Sequence, residues 1–336
     1  MAQDTGRPLR LGIDVGGTKV ALALGDAEGR LAAHRRIPFP ATGEPRADVE
    51  QMLAAARALL DEAGCGAGGL EAVGISAPGP MEIGSGTLLN PPNLPGWHHI
   101  PLAEWFGAAL GAPVAVENDA DAAALAEWRW GAARGTQHAV YLTMSTGVGG
   151  GLVLGGRLHR GAHGAGEIGH APVEWDGAAC ACGLRGCLEA YVGGAAWTRH
   201  LRAEAPEAGR VAALAGGRDA ITPRHLLAAA REGDDFALTE LARWNGYLAR
   251  TIVWLAMVLS PEVVVLGTIA RAAGEQLCLA PVRELVARHL WREEGQAPRI
   301  VAAELGETLG ERAGLAVAAL AAERAGGRTE ATRAAR

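Results

Sequence analysis

Within the 54 residues from Glu117 to His170 the chain sets out three groups that could do chemistry. Glu117-Asn118-Asp119-Ala120-Asp121 puts carboxylates at what reads as a strand-to-helix junction. Ser145-Thr146-Gly147-Val148-Gly149-Gly150-Gly151 is a glycine loop with two hydroxyls, and Gly166-Glu167-Ile168-Gly169-His170 offers a Glu/His pair. A carboxylate can accept a hydroxyl proton, and glycine backbone N–H groups can cradle a phosphate. Together they point to phosphoryl transfer to an alcohol. Asp119 is the carboxylate at the carboxyl end of a strand, where the sites of α/β proteins gather. Asn118 and Asp119 are also ordinary N-caps, and Asp121 reads as a first-turn partner of the helix dipole.

A second glycine turn precedes these, Asp14-Val15-Gly16-Gly17-Thr18-Lys19. Adjacent glycines permit a tight turn and close approach of N–H groups to an anion. Asp14 could hold a hydrated Mg²⁺ and Thr18 could bond a phosphate. The spacing is not that of a Walker A loop, and a plain hairpin fits the turn equally well. Lys19, one lysine against thirty arginines, is either a phosphate ligand or a strand residue facing solvent. The two turns make a weak internal repeat of strand, glycine hairpin and strand. Facing one another they could clamp a nucleotide triphosphate; a structural pair of hairpins is the alternative.

Cys180-Ala181-Cys182-Gly183-Leu184-Arg185-Gly186-Cys187, with His170 ten residues before the first cysteine, gives four ligands for a tetrahedral Zn²⁺. Gly183 and Gly186 let the chain fold tightly round an ion; three free buried thiols are the alternative. Four protein ligands leave no open position, so the zinc is expected to be structural, fixing His170 and with it Glu167 and Glu189. His163 is a spare ligand ranked below His170.

These groups need elements to position them. Apolar runs predict strands over 9–15, 20–24, 31–37, 70–76, 114–116, 140–143, 151–154, 262–267 and 299–302. Helical spacing predicts helices over 48–63, 101–110, 118–130, 195–205, 224–231, 280–290 and 311–324, and over 235–259 one long helix or two. The mixture indicates an α/β layer architecture. Leu89-Asn90-Pro91-Pro92-Asn93-Leu94-Pro95-Gly96-Trp97 can be neither helix nor central strand. It is a rigid loop that either presents Asn93 to a sugar hydroxyl or turns on Trp97 as a structural anchor. The strand ending at Gly267 offers a wall for an adenine base. The last residues, 326–336, lack an apolar pattern and are expected to be a disordered tail.

The chain has 336 residues, 49% of them apolar, and a net charge of −6 without blocks of like charge. That excludes a broad basic face for nucleic acid. No apolar run reaches a membrane span, and residues 1–10 show no signal-peptide core. Five cysteines, three of them clustered, read as a metal site in a reducing, cytoplasmic compartment rather than a disulfide framework.

Taken together, Asp14–Lys19, Asn90–Trp97, Glu117–Glu127, Thr143–Gly151, Gly164–His170 and Cys180–Glu189 resemble the ROK family of sugar kinases and sugar-responsive repressors in the actin-like ATPase superfamily. The resemblance implies an actin-like, ribonuclease H-like α/β fold of two lobes with a central cleft. Its boundaries are expected at 1–117 for the first lobe, with helix 311–325 packed back on it, and 118–310 for the larger, zinc-bearing lobe. It implies an ATP-dependent hexose kinase acting on the sugar 6-hydroxyl with Mg²⁺, glucose foremost, and a homodimer or homotetramer. N-acetylmannosamine, N-acetylglucosamine or another hexose is the alternative acceptor. By the same resemblance Asp119 is the base. Asn118, Glu167, His170, Glu189 and more weakly Asn93 are sugar ligands. Asp14, Gly16, Gly17, Thr18, Lys19, Thr146, Gly147 and Gly267 form the Mg-ATP cradle. Gly267-Thr268 stands where the family has Gly-Gly, and Gly193-Gly194 where a Ser is common. A sugar-sensing repressor would carry a helix-turn-helix before the first turn, for which Asp14 lies too near the start. A zinc-stabilised carbohydrate-binding module would need no pair of phosphate turns.

Overall fold

The computed structural model describes residues 8–39, 41–65, 69–162, 164–291 and 295–334. His163, the spare ligand, lies outside them. The chain forms two compact units, Met1–Gly131 with Leu305–Arg336, and Ala132–Glu304.

The first unit begins with β1 (Leu9–Val15), β2 (Lys19–Gly25) and β3 (Leu31–Pro38), then α1 (Pro45–Glu62) and β4 (Leu70–Ala77). The short strands β5 (Met81–Glu82), β6 (Thr87–Leu88) and β7 (Ile100–Pro101) follow, then α2 (Leu102–Leu110), β8 (Val114–Asn118) and α3 (Asp119–Trp130). Its main sheet has the order β3-β2-β1-β4-β8, antiparallel within the first three strands and parallel from β1 to β8. β1 and β2 are buried on both faces, as their continuous apolar runs require. β3 is an edge strand, alternately half-buried and exposed, and carries His34, Arg35 and Arg36.

The second unit holds β9 (Ala139–Met144), β10 (Val148–Leu154), β11 (Arg157–Leu158), α4 (Glu189–Val192), α5 (Gly194–Glu204), α6 (Arg210–Ala215), α7 (Pro223–Arg231) and α8 (Asp235–Leu259). It continues with β12 (Val263–Leu266), α9 (Thr268–Gly274), a π-helical turn, α10 (Ala280–His289) and β13 (Arg299–Ala302). The sheet order β11-β10-β9-β12-β13 repeats that of the first unit: hairpin strands on one side, parallel strands on the other. The weak repeat in the sequence is therefore a repeat of topology. α8 is one helix, capped by Asp234, whose side chain accepts the Ala237 N–H at 2.8 Å, and stopped at Ser260-Pro261. Trp197 and Trp244, stacked at 5.4 Å, lie at its core.

The last helix, α11 (Leu309–Ala334), returns to the first unit and buries Leu315, Ala316, Val317, Ala318 and Ala319. It lies unusually close to the sheet because side chains are missing on both sides. A Cβ on Gly74 would stand 1.9 Å from Ala318 N, and one on Gly314 would stand 2.4 Å from Ile13 N. α11 runs to Ala334. The units divide after Gly131 and after Glu304, and α3 belongs with α11 to the first. Glu127 accepts the Leu305 N–H at 3.0 Å, Arg129 pairs with Glu323 at 2.6 Å and Arg324 with the buried Glu117 at 3.2 Å.

Candidate active site

In the first unit the turn between β1 and β2 is closed by Gly16 N–H on the Lys19 carbonyl at 3.0 Å. Gly17 faces the proline-rich loop: a Cβ there would stand 3.2 Å from the Asn93 carbonyl. Thr18 and Lys19 are exposed. Asp14, at the end of β1, accepts the Ser76 hydroxyl at 2.7 Å. The first turn of α11 closes on its other oxygen, since a Cβ on Gly310 would lie 2.7 Å from Oδ2. Burial pushes the Asp14 carboxyl above the ordinary range and the nearby Glu311 adds to this; the Ser76 hydrogen bond, Lys19 and Arg36 pull it down. Asp14 is half-buried at the end of its strand, and its carboxyl would suit a hydrated Mg²⁺ as an oxygen ligand.

The proline-rich loop turns on Trp97 as its anchor. Trp97 is fully buried and donates its Nε1–H to Asp48 at 3.0 Å, while Asn93 is exposed. Asn118 caps α3, its Oδ1 accepting the Ala120 N–H at 2.9 Å; Asp119 Oδ1 shares that N–H at 2.8 Å. Asn118 is held with its amide toward Gly79, whose Cβ would lie 3.4 Å from Nδ2. Asp119 opens α3 at the carboxyl end of β8 and is exposed, whereas Asp121 is buried.

In the second unit the turn is shorter than the glycine run predicts. Ser145-Thr146-Gly147 forms it, with Ser145 N–H on the Gly147 carbonyl at 3.0 Å, and Gly149, Gly150 and Gly151 belong to β10. Those strand glycines serve packing: a Cβ on Gly150 would stand 2.6 Å from Ile168 Cδ1 and 2.7 Å from the Gly166 carbonyl. The absence of a side chain lets the segment carrying Glu167 and His170 lie on the strand. Glu167 is exposed and His170 half-buried.

His170, Cys180, Cys182 and Cys187 converge, their ligand atoms all within 4.8 Å of one another. Cys182 and Cys187 sulfurs are 3.7 Å apart, and His170 Nδ1 is 3.8 Å from Cys180 Sγ. Separations of this size would suit four ligands around a tetrahedral Zn²⁺, whose Zn–S bonds are about 2.3 Å. Gly183 and Gly186 take left-handed φ values of +90° and +72°. Burial pushes the Cys187 thiol up to about 12, while the Leu184 N–H lowers that of the exposed Cys182. A bound cation would reverse that cost and hold all three as thiolates.

Glu189 joins this cluster to the glycine turn. Its Oε2 accepts the Val148 N–H at 2.8 Å, and its Oε1 lies 3.9 Å from Cys180 Sγ. Beside the same turn is a cavity of about 990 Å³ that the sequence did not announce. Thr146, Ala195, Thr268 and Ile269 line it, with Arg199, Arg202, Arg224 and Arg231 from α5 and α7 and no carboxylate. No motif marks these arginines, because they come from separate helices. Gly267 is buried against Tyr141, where its Cβ would stand 2.6 Å from the hydroxyl, and Thr268 and Ile269 after it line the cavity.

The sequence matches the ROK family over residues 10–323. A glucokinase of Streptomyces coelicolor is 37% identical over 315 residues, 90% of this chain and 95% of that protein. An N-acetylmannosamine kinase of Escherichia coli O157:H7 is 38% identical over 259 residues, 76% of this chain and 81% of that protein. The crystal structure of a ROK family glucokinase from Streptomyces griseus in complex with glucose and AMPPNP aligns with a TM-score of 0.73 at 34% identity, covering 92% of this chain and 98% of that one. With its α/β units, paired glycine turns and Cys/His cluster, the chain belongs to the ROK family.

Proposed function

We propose that this chain is an ATP-dependent hexose kinase that transfers the γ-phosphoryl group to the 6-hydroxyl of glucose. The observation that carries the reading is Asp119, an exposed carboxylate at the carboxyl end of β8, in a chain 37% identical to a glucokinase. Asp119 orients the sugar hydroxyl and accepts its proton as the new O–P bond forms and the bond to the nucleoside diphosphate breaks. Positioning contributes more than base strength in a loose transition state. Asn93, Asn118, Glu167, His170 and Glu189 hold the sugar; with Nδ1 turned to the cysteines, His170 keeps Nε2 as a donor. Gly16, Gly17, Thr18, Lys19, Thr146, Gly147 and Gly267 cradle the nucleotide, and Asp14 holds hydrated Mg²⁺, which supplies charge neutralisation on the phosphates. Zinc on His170, Cys180, Cys182 and Cys187 is structural.

Asp119→Asn is expected to lower turnover by about a hundredfold or more while glucose still binds, measured by a coupled ADP assay and calorimetry. Full turnover in that variant removes Asp119 from the base role. N-acetylmannosamine is the second acceptor to consider, because a kinase of that sugar is 38% identical over 259 residues. A panel of hexoses with ATP separates the two. We further propose a cytoplasmic homodimer or homotetramer, which light scattering on the purified chain tests.

A further inference from the structure

Thr268 opens α9 with φ +41°, in the left-handed region where a β-branched residue is an outlier. Strain of this kind persists where surrounding contacts over-determine it, and it gathers at functional sites. The contacts here are specific. Thr268 Oγ1 donates to the Met144 carbonyl. Thr143 Oγ1, 3.2 Å away, then donates to Thr268. Met144 is the last residue of β9, immediately before the Ser145-Thr146-Gly147 turn.

The carbonyls that follow are held as well. Gly194 N–H donates to Ser145 O at 2.8 Å and Ala195 N–H to Thr146 O at 2.9 Å. Three successive peptide planes are thus tied by their oxygens to α9 and to the start of α5. In a trans peptide the N–H points opposite to the C=O. Oxygens held toward the protein therefore aim the Thr146 and Gly147 N–H groups away from those anchors. The plane held by Thr268 carries the Ser145 N–H, which closes the turn on Gly147 O at 3.0 Å. Of the three carbonyl ties, that of Thr268 is the one made by a side chain, and Thr268 lines the same cavity as Thr146.

We propose that Thr268 is a positioning residue for the phosphoryl donor: its hydroxyl, placed by a left-handed backbone, fixes the Ser145-Thr146-Gly147 turn so that the N–H groups of the turn meet the donor's phosphates. This rests on the kinase reading above. A hydroxyl is required, and a β-branched side chain is not, so three substitutions separate hydrogen bond from strain. Thr268→Ser keeps the hydroxyl, Thr268→Val keeps the shape, and Thr268→Gly relieves the backbone but loses the tie.

The expected result is that Thr268→Ser stays within about twofold of wild type. Thr268→Val and Thr268→Gly should raise KM for ATP about three- to tenfold, the loss of one hydrogen bond, with KM for glucose unchanged. Thr268→Gly should melt no lower than wild type, and amide exchange at Thr146 and Gly147 should quicken in the Val and Gly variants. Three outcomes overturn the proposal: Thr268→Gly with wild-type KM for ATP and wild-type exchange, Thr268→Ser behaving as Thr268→Gly, or ATP affinity falling only in step with a lowered melting temperature. A wild-type chain inactive with ATP refutes the kinase reading instead, and the exchange measurement, which needs no donor, still decides whether Thr268 holds the turn.

Discussion

Asp14 sits where its own charge is unfavourable. Burial raises its pKa, and Glu311, held by Arg36 at 2.6 Å, adds like charge from the far end of the chain. A carboxyl whose folded pKa is raised contributes stability that is fully present below its unfolded pKa and lost as pH rises through the folded value. Above the unfolded value, and without Mg²⁺, holding this carboxyl in the fold therefore costs stability. Asp14→Asn, which still accepts the Ser76 hydroxyl, is expected to melt several degrees above wild type at pH 7, with the difference vanishing toward pH 3–4 in the ordinary carboxylate range, and to lose Mg-dependent turnover. Thermal scans across that range in chelator check the first part; equal melting temperatures at pH 7 would contradict it. Asp14 was singled out in the sequence by its place before Gly16-Gly17. Ser76, Gly310 and Glu311 were not, because they reach it from β4 and α11.

Among the elements, the cysteine segment is the one held by a side-chain cluster that could take a metal rather than by a helix or a ladder. Residues 171–188 contain no helix or strand longer than an isolated bridge, and Gly186 is pressed so close to Glu174 that its Cβ would lie 1.5 Å from the carbonyl. What organises the segment is the convergence of its cysteines on His170, together with Tyr191, whose hydroxyl accepts the Ala178 N–H at 2.8 Å. Cys182→Ser is expected to lose the metal and loosen residues 164–192. Because Glu189 spans to Val148, the glycine turn should loosen with them. Metal analysis of the wild type should return about one zinc per chain; well-folded, zinc-free protein would remove the site. The cluster was readable from spacing alone, since its four residues lie within eighteen residues of one another. The connection through Glu189 was not.

Across the whole molecule, the first unit is completed only when the last helix arrives. α11 packs on β1 and β4 at distances that exclude even a methyl group at Gly12, Gly74 and Gly314. Gly74→Ala, with its Cβ 1.9 Å from Ala318 N and 2.2 Å from the Gly314 carbonyl, must displace backbone rather than a flexible side chain. Overpacking of this kind is expected to destabilise the first unit by about 3 kcal/mol or more, seen as an early unfolding transition in urea while the second unit, with its separate core, unfolds as in wild type. Unchanged unfolding would show that α11 can move away from the sheet without loss.

The sequence by itself determined what short-range physics controls: the strands and helices with strong periodicity, the cap at Asn118, the two glycine turns, the Cys/His spacing and, through these, the family. Each depends on residues a few positions apart, where sterics and hydrogen-bonding preference act without knowledge of the rest of the chain. Tertiary structure decided which glycines face a ligand and which let backbones touch, so that Gly147 is in the turn and Gly150 is under Ile168. It alone brought Ser76 and Glu311 to Asp14, assembled the arginines of α5 and α7 on one cavity, and set Thr268 in a strained conformation beside β9. Those contacts join residues up to about three hundred positions apart, and the closure of such loops is governed by packing of the whole domain rather than by any local pattern.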